Sequence, residues 1–309
     1  MKALLILLSL TLSTFSHAAD DTGIVAFGDS LSDMGNRWVH STKPDLKFRQ
    51  TWVAQLTGAT MLNIPGLKPS GISSYCGGSN YAVGGAGTAY TATMGSERNR
   101  GQDLTTQVSK RYLNPAFNTD GVKKKALHVI VIGANDVMLV SIGLEQIASQ
   151  WVGLDKAGVA VAQSTEGQIR ALAEAGVKRV LWGSVFDIAQ APSVVNRSKI
   201  MPSLAPVYLA AVTKAVRAHN AEMDAVILRL EAAYPSLKIT KLDLFAKFAD
   251  IAADPAKYGL TDVTTGANDD HHLFSSDGLH PTPHGHKLLA ESAFAVLSAK
   301  GATQTAPAP

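Results

Sequence analysis

Ser30 lies in Phe27-Gly28-Asp29-Ser30-Leu31-Ser32-Asp33-Met34-Gly35-Asn36, directly after the apolar run Gly23-Ile24-Val25-Ala26-Phe27. Such a run reads as a buried parallel strand, and Gly28 lets the backbone bend sharply at its end. A hydroxyl there sits at the C-terminal edge of a sheet, where open α/β folds place their reacting groups. If a helix begins at that point, the Ser30 N–H faces an anion, because a helix N-terminus has unpaired donors and a positive dipole end. Taken alone, the same residues also read as a cap, with Ser30 on the helix and Asp33 in its first turn.

Near the other end, Ser275-Ser276-Asp277-Gly278-Leu279-His280-Pro281 sets a carboxylate and an imidazole three residues apart on one turn. That pair is what a nucleophilic serine needs: the imidazole removes the hydroxyl proton while the carboxylate fixes its tautomer. An Asx-turn at Asp277 with a surface histidine is the structural alternative. Two further stretches could receive a developing oxyanion. Asn80-Tyr81-Ala82-Val83-Gly84-Gly85-Ala86-Gly87 offers backbone that can approach a ligand closely, but it lacks dinucleotide-loop spacing because Tyr90 stands where a third glycine is needed. Val129-Ile130-Val131-Ile132-Gly133-Ala134-Asn135-Asp136 is a second apolar run ending in polar residues, and Asn135 could supply a side-chain amide or simply cap a helix.

The elements that must position these residues alternate. Strands are expected at Ile24 to Phe27, Thr60 to Ile64, Leu127 to Ile132, Arg179 to Ser184 and Leu237 to Leu242. Helices are expected at Gln50 to Leu56, Asp103 to Tyr112, Glu145 to Ala175 with a break at Gly153 to Gly158, and Pro206 to Ala233. On the last, Val212, Val216, His219, Met223, Val226 and Leu230 recur at steps of four and three, a stripe facing a core. The alternation predicts a parallel sheet covered by helices on both faces. Pro65 to Gly101 and Asp250 to Leu279 read as long loops, and the segments Pro65 to Gly101, Phe186 to Leu204 and Asp250 to Phe274 are expected to shape a substrate pocket.

Met1-Lys2, an apolar stretch from Ala3, and small residues at Ser16 and Ala18 predict a signal peptide over 1–18. One domain is then expected over 19–300, with a flexible tail at 301–309 and a secreted or periplasmic location. No later stretch has about eighteen uninterrupted apolar residues, so no membrane-spanning segment is expected. The net charge of +3 is too small to argue for nucleic acid. A single cysteine, Cys76, excludes an internal disulfide and a multi-cysteine metal site, and its Tyr75-Cys76-Gly77-Gly78 surroundings are not those of a catalytic thiol.

Gly28-Asp29-Ser30-Leu31, a glycine within Asn80 to Ala86, Gly133-Ala134-Asn135-Asp136 and Asp277-Gly278-Leu279-His280 resemble, in that order, the four blocks of the GDSL, or SGNH, hydrolase superfamily. The extended first block is similar to its secreted lipolytic branch of esterases, lysophospholipases and acyltransferases. The resemblance implies a three-layer α/β/α sandwich, flavodoxin-like, with about five parallel strands. It implies Ser30 as nucleophile, His280 as base and Asp277 as the acid that orients it. It also implies an oxyanion hole made of the Ser30 N–H, the Gly85 N–H and the Asn135 side chain, with Gly84 replacing Gly85 if the register shifts by one. No cofactor or metal is implied. The expected partner is a small-molecule or lipid ester, met by a monomer in at most transient contact with membrane lipids.

Two other readings compete. A metal-dependent phosphoesterase could draw on Asp29, Asp33, Asn135, Asp269, Asp270, His271, His272, His284 and His286, but no Asp-x-His pair follows the first strand. A secreted binding protein could keep the fold without turnover. No Gly-x-Ser-x-Gly elbow supports the α/β-hydrolase arrangement.

Overall fold

A computed structural model describes residues 23–37, 50–64, 67–90, 102–143, 153–200 and 202–303. The expected signal peptide, residues 145–152 of the third expected helix, residues 91–101 of the first long loop and the tail beyond 303 lie outside the described residues.

Four parallel strands form the central sheet in the order β1 (Ile24–Gly28), β2 (Leu127–Val131), β3 (Arg179–Gly183) and β4 (Lys238–Leu242). Successive side chains of a strand point to opposite faces, and both faces here are apolar. Ile24, Ala26, Val129, Val131 and Leu181 join one cluster, whereas Val25, Phe27, Ile130, Val180 and Trp182 join the other. This double burial is why the strands read as continuous apolar runs.

The covering helices are α1 (Trp52–Leu56), α2 (Ala134–Gly143), α3 (Leu154–Glu174), α4 (Pro192–Ser198), α5 (Ala205–Ala233), α6 (Leu244–Ala253) and α7 (Pro283–Thr303), with a π-helical segment at Thr106–Tyr112. All six residues of the α5 stripe are fully buried, His219 included. Two short strands, β5 (Asp262–Gly266) and β6 (His272–Phe274), and a 3-10 turn at Pro255–Tyr258 give structure to the expected loop at 250–279. α7 runs through Thr303, so the helix extends past residue 300 into the expected tail.

The expected strand at Thr60 to Ile64 is absent. Those residues turn back on α1, with the Asn63 N–H bonded to Gly58 O at 2.9 Å and Leu62 N–H to Leu56 O at 3.0 Å. Met61, Leu62 and Ile64 pack against the first cluster without a ladder, which accounts for their apolar character. The fifth place in the sheet is taken by residues 79–83. Ala26 N–H donates to Ser79 O at 2.9 Å, Tyr81 N–H to Ala26 O at 2.7 Å and Val83 N–H to Gly28 O at 3.0 Å. The segment thus runs beside β1 in parallel, although only its bridge at Asn80 is regular.

α1 packs into the first cluster through Trp52, Val53 and Leu56, and the π-helical segment packs into the second through Val108 and Tyr112. The connections on either side of residues 79–83 therefore cover opposite faces of the sheet. They leave a crevice at the C-terminal ends of β1 and β2, the topological switch point of a doubly wound sheet.

Gly153 is the non-helical cap of α3, but the expected break does not extend to Gly158, since α3 is continuous from Leu154. Gly158 serves instead as a contact: a Cβ there would lie 2.1 Å from Ala215 O of α5. Gly167, on the same helix, is exposed and has open space around it. Helix propensity favours alanine over glycine by about 0.5–1 kcal/mol at both sites. Gly167→Ala should accordingly raise the thermal midpoint, whereas Gly158→Ala should lower it by forcing α3 from α5. Equal effects in a calorimetric melt would refute this packing.

Candidate active site

The site is built on a close approach of two strand ends. A Cβ on Gly28 would lie 2.1 Å from Val131 O, and φ at this glycine is +143°. Only glycine fits there, and the next residue's N–H donates to Val131 O at 3.3 Å. Gly28 is further held by Gln107, whose Oε1 accepts from Gly28 N–H and whose Nε2 donates to Gly28 O, both at 2.8 Å.

No helix follows β1. Residues 29–33 make a single turn in which Asp29 O accepts from Ser32 N–H at 3.1 Å and Asp33 N–H at 3.0 Å, while Asp29 Oδ1 accepts from Leu31 N–H at 3.0 Å. The expected helix dipole behind Ser30 is therefore missing. Its N–H is nonetheless unbonded among the described residues, because the surrounding turn bonds are made by its neighbours.

The loop after β6 carries Asp277 and His280 to this turn. His280 Nε2 lies 2.7 Å from Ser30 Oγ, and His280 Nδ1 lies 2.6 Å from Asp277 Oδ2. An ionised carboxylate only accepts, so Nδ1 carries the proton and Nε2 is left to accept from the Ser30 hydroxyl. The two sequence readings of Asp277 coexist on separate oxygens. Oδ1 makes the Asx-turn, accepting from Leu279 N–H at 2.9 Å, His280 N–H at 3.0 Å and Ser275 Oγ at 2.9 Å, and Oδ2 holds the imidazole.

Asn135 lines the same cleft as Ser30 and His280, and its side chain bonds Ala86, the residue after Gly84 and Gly85. Gly84 N–H is consumed by Asp33 Oδ2 at 2.7 Å. Gly85, exposed and at φ +76°, has an N–H with no bond to another described residue. Asn135 is the second residue of α2, but its side chain does not cap that helix. One of its two Nδ2 hydrogens goes to Ala86 O at 2.9 Å, leaving the second for a ligand. Asp136 likewise reaches across to Thr88, accepting from its N–H and Oγ1 at 2.8–3.0 Å.

A cleft beside Ser30 and His280 is walled by Leu31, Met138, Phe186, Ile188 and Leu279, with Asp29 and Asn135 at its polar end. Of the three expected pocket loops, only 186–204 contributes wall residues among those described. Sequence reasoning missed Gln107, Asn36 and Ser275. Asn36 donates through Nδ2 to Asn80 O and Ala82 O at 2.7 and 2.9 Å, tying the serine loop to residues 79–83. Their one signal was a polar residue within or beside an apolar pattern, as at Gln107 between Leu104 and Val108.

The donors proposed for a metal centre are dispersed. Asp33 accepts backbone N–H groups, His284 Nε2 bonds Tyr258 O at 2.7 Å, His286 Nδ1 accepts from Trp52 N–H at 3.2 Å, and Asp269 pairs with His272 Nδ1 at 2.8 Å. Among the described residues no three His, Cys, Asp or Glu side chains converge in a way that could hold an ion. None of the described helices is long and apolar enough to cross a membrane.

Residues 24–293 match the family described as GDSL-like Lipase/Acylhydrolase. A curated relative, Lipase 1 of Photorhabdus luminescens, is 27% identical over 194 residues, 62% of this chain. The match takes in only 26% of that lipase's length. Among solved structures, an extracellular lipase from Streptomyces rimosus aligns over 90% of this chain and 98% of its own, at 17% identity and a TM-score of 0.44. A Clostridium thermocellum family 3 carbohydrate esterase aligns over 91% and 98%, at 15% identity and a TM-score of 0.40.

Burial governs the charges around the site. Burial alone would raise the Asp277 carboxyl, but the hydrogen bond and charge of His280, with two backbone N–H groups, hold it below its ordinary value. Asp29 is pushed up to about 7 by burial and by the charge of Asp136, against the pull of Leu31 N–H and His280. His286 is lowered to about 3 by burial and by the nearby His280. Burial lowers the core residues His128 and His219 to about 4 each. These three imidazoles stay neutral in the fold but take up protons once the chain unfolds, so stability present above about pH 6.5 is lost as pH falls toward 4. Asp29 and Asp33, both raised chiefly by burial, work in the opposite sense, and three protons outweigh two. The thermal midpoint should fall steadily between pH 7 and pH 4.5; a flat or rising midpoint in circular dichroism melts would contradict these burials.

Proposed function

The chain belongs to the GDSL-like lipase/acylhydrolase family, and from that premise we propose that it is an exported serine hydrolase acting on carboxylic esters of lipids or lysophospholipids. The observation that carries the reading is the unbroken hydrogen-bond chain from Ser30 Oγ through His280 to Asp277, with contacts of 2.7 and 2.6 Å.

In the proposed reaction Ser30 Oγ attacks the ester carbonyl and its proton passes to His280 Nε2. Asp277 Oδ2 stabilises the imidazolium that forms without itself being protonated. The carbonyl oxygen, now negative, is held by the N–H groups of Ser30 and Gly85 and by the second Nδ2 hydrogen of Asn135. Gly85 is preferred to Gly84 because the Gly84 N–H is already given to Asp33. Collapse of this intermediate breaks the bond to the alcohol, which leaves with the His280 proton. Water then repeats the sequence on the acyl-enzyme and restores Ser30. The apolar cleft walls suit an acyl chain, which supports the lipid substrate class. Export rests on the leader-like residues 1–18.

A panel of p-nitrophenyl esters from acetate to palmitate, run beside lysophosphatidylcholine, tests substrate and chemistry together. Ser30→Ala and His280→Ala should each lower turnover by several orders of magnitude with unchanged melting, since the three residues act as a unit. Asn135→Ala should cost roughly a hundred- to a thousandfold. Wild-type ester hydrolysis by Ser30→Ala would end this reading, and loss of activity on chelation would favour a metal phosphoesterase.

A further inference from the structure

Gly84 is gripped at both of its backbone polar groups by one short loop. Its N–H donates to Asp33 Oδ2 at 2.7 Å, and its carbonyl accepts from Arg37 Nη1 at 3.2 Å. The same carboxylate folds the loop that carries both partners. Asp33 Oδ1 accepts from the Gly35 and Asn36 N–H groups at 2.8 and 2.7 Å, and Oδ2 accepts from the Arg37 N–H at 3.0 Å. That loop begins three residues after Ser30, so the serine turn and the glycine turn form one hydrogen-bonded unit.

The consequence falls on the following amide. The Gly84 carbonyl and the Gly85 N–H belong to the same planar peptide and point in opposite directions. With the carbonyl held on the loop side, the Gly85 N–H faces away from the loop. A cationic donor on the carbonyl also polarises the amide and strengthens its N–H as a donor. The Arg37 guanidinium is held by two neutral acceptors, Gly84 O and Gln102 Oε1 at 2.9 Å. No carboxylate among the described residues forms an ion pair with it, so its charge acts on this peptide.

We propose that Asp33 and Arg37 form a clamp on Gly84 that orients and polarises the Gly85 N–H toward the oxyanion, both acting as positioning residues for ester hydrolysis. The inference rests on the function proposed above. Asp33 alone would set a buried negative charge one peptide away from a developing negative oxygen. Arg37 offsets that charge, and the benefit arises only when the oxyanion forms, so it should be felt in the transition state rather than in the binding of a neutral ester.

Arg37→Gln is the direct test, because Arg37 is exposed and its loss should leave melting unchanged. With p-nitrophenyl acetate and butyrate, kcat should fall roughly tenfold while KM stays within about twofold, since the oxyanion donor is weakened and not removed. Affinity for an alkyl boronic acid, which forms a tetrahedral anionic adduct on serine, should fall by the same factor. Arg37→Lys should restore part of both, and Asp33→Asn, if it folds, should show the same split. An unchanged kcat and boronate affinity in Arg37→Gln would overturn the clamp. A rise confined to KM, or an effect seen only with phosphate-bearing esters, would also overturn it by making Arg37 a substrate contact. If the wild-type protein cleaves esters and Ser30→Ala does not, the proposed function survives such a result; if the wild-type protein cleaves none, both fall.

Discussion

The site depends on how closely β1 and β2 approach at their C-terminal ends. Gly28 leaves no room for a side chain against the Val131 carbonyl, and that contact fixes where two loops start. The loop after β1 carries Ser30 and Asp33, and the short connection after β2 leads into the first turn of α2, which carries Asn135 and Asp136. A larger residue at position 28 would splay the strand ends and separate these loops, whatever remained of the sheet. Gln107 reinforces the point from the π-helical segment by completing both hydrogen bonds of the Gly28 peptide groups. A π-helical turn placed beside a site in this way fits a wider tendency of such irregularities to occur where side chains must be re-aimed.

Around that contact, buried and half-buried polar side chains take the part that regular structure plays elsewhere. Residues 79–88 hold only one regular bridge to β1, yet they are anchored by Asn36, Asp33, Asn135 and Asp136. Each of these side chains satisfies backbone groups that would otherwise be buried without partners, a loss of about 1–3 kcal/mol apiece. The arrangement lets glycine-rich backbone, which has no side chains of its own to pack, be held firmly enough to present an N–H in a set direction. Asp277 does similar double service, one oxygen shaping its turn and the other holding an imidazole.

Much of the fold was legible because it is written in periodicity. The four sheet strands are apolar runs bounded by turns, and the stripe on α5 repeats at helical spacing, so both could be read without knowing what they pack against. The fifth strand position was misread for a physical reason. Met61, Leu62 and Ile64 are apolar because they cover a core, not because they pair, whereas residues 79–83 pair with β1 but are interrupted by Asn80, whose side chain is spent on Ser32 O. Of the two glycines that read as a helix break, Gly153 caps α3 and Gly158 lies within it, because propensity cannot distinguish a weak helical position from one where a neighbouring backbone passes within contact. The polar blocks around Ser30, Asn135, Asp277 and His280 stood out by residue type and order. Their supports at Gln107, Asn36 and Ser275 did not, because a buried hydrogen bond between distant segments leaves no local spacing to detect.

Ser30 and His280 are separated by 250 positions along the chain. A polypeptide made from its N-terminus therefore exposes the hydroxyl long before the imidazole exists, and residues 277–280 can dock only after β1 to β6 have been laid down. Competence thus arrives late and all at once. A half-made chain therefore carries the hydroxyl without the imidazole that the proposed ester hydrolysis requires.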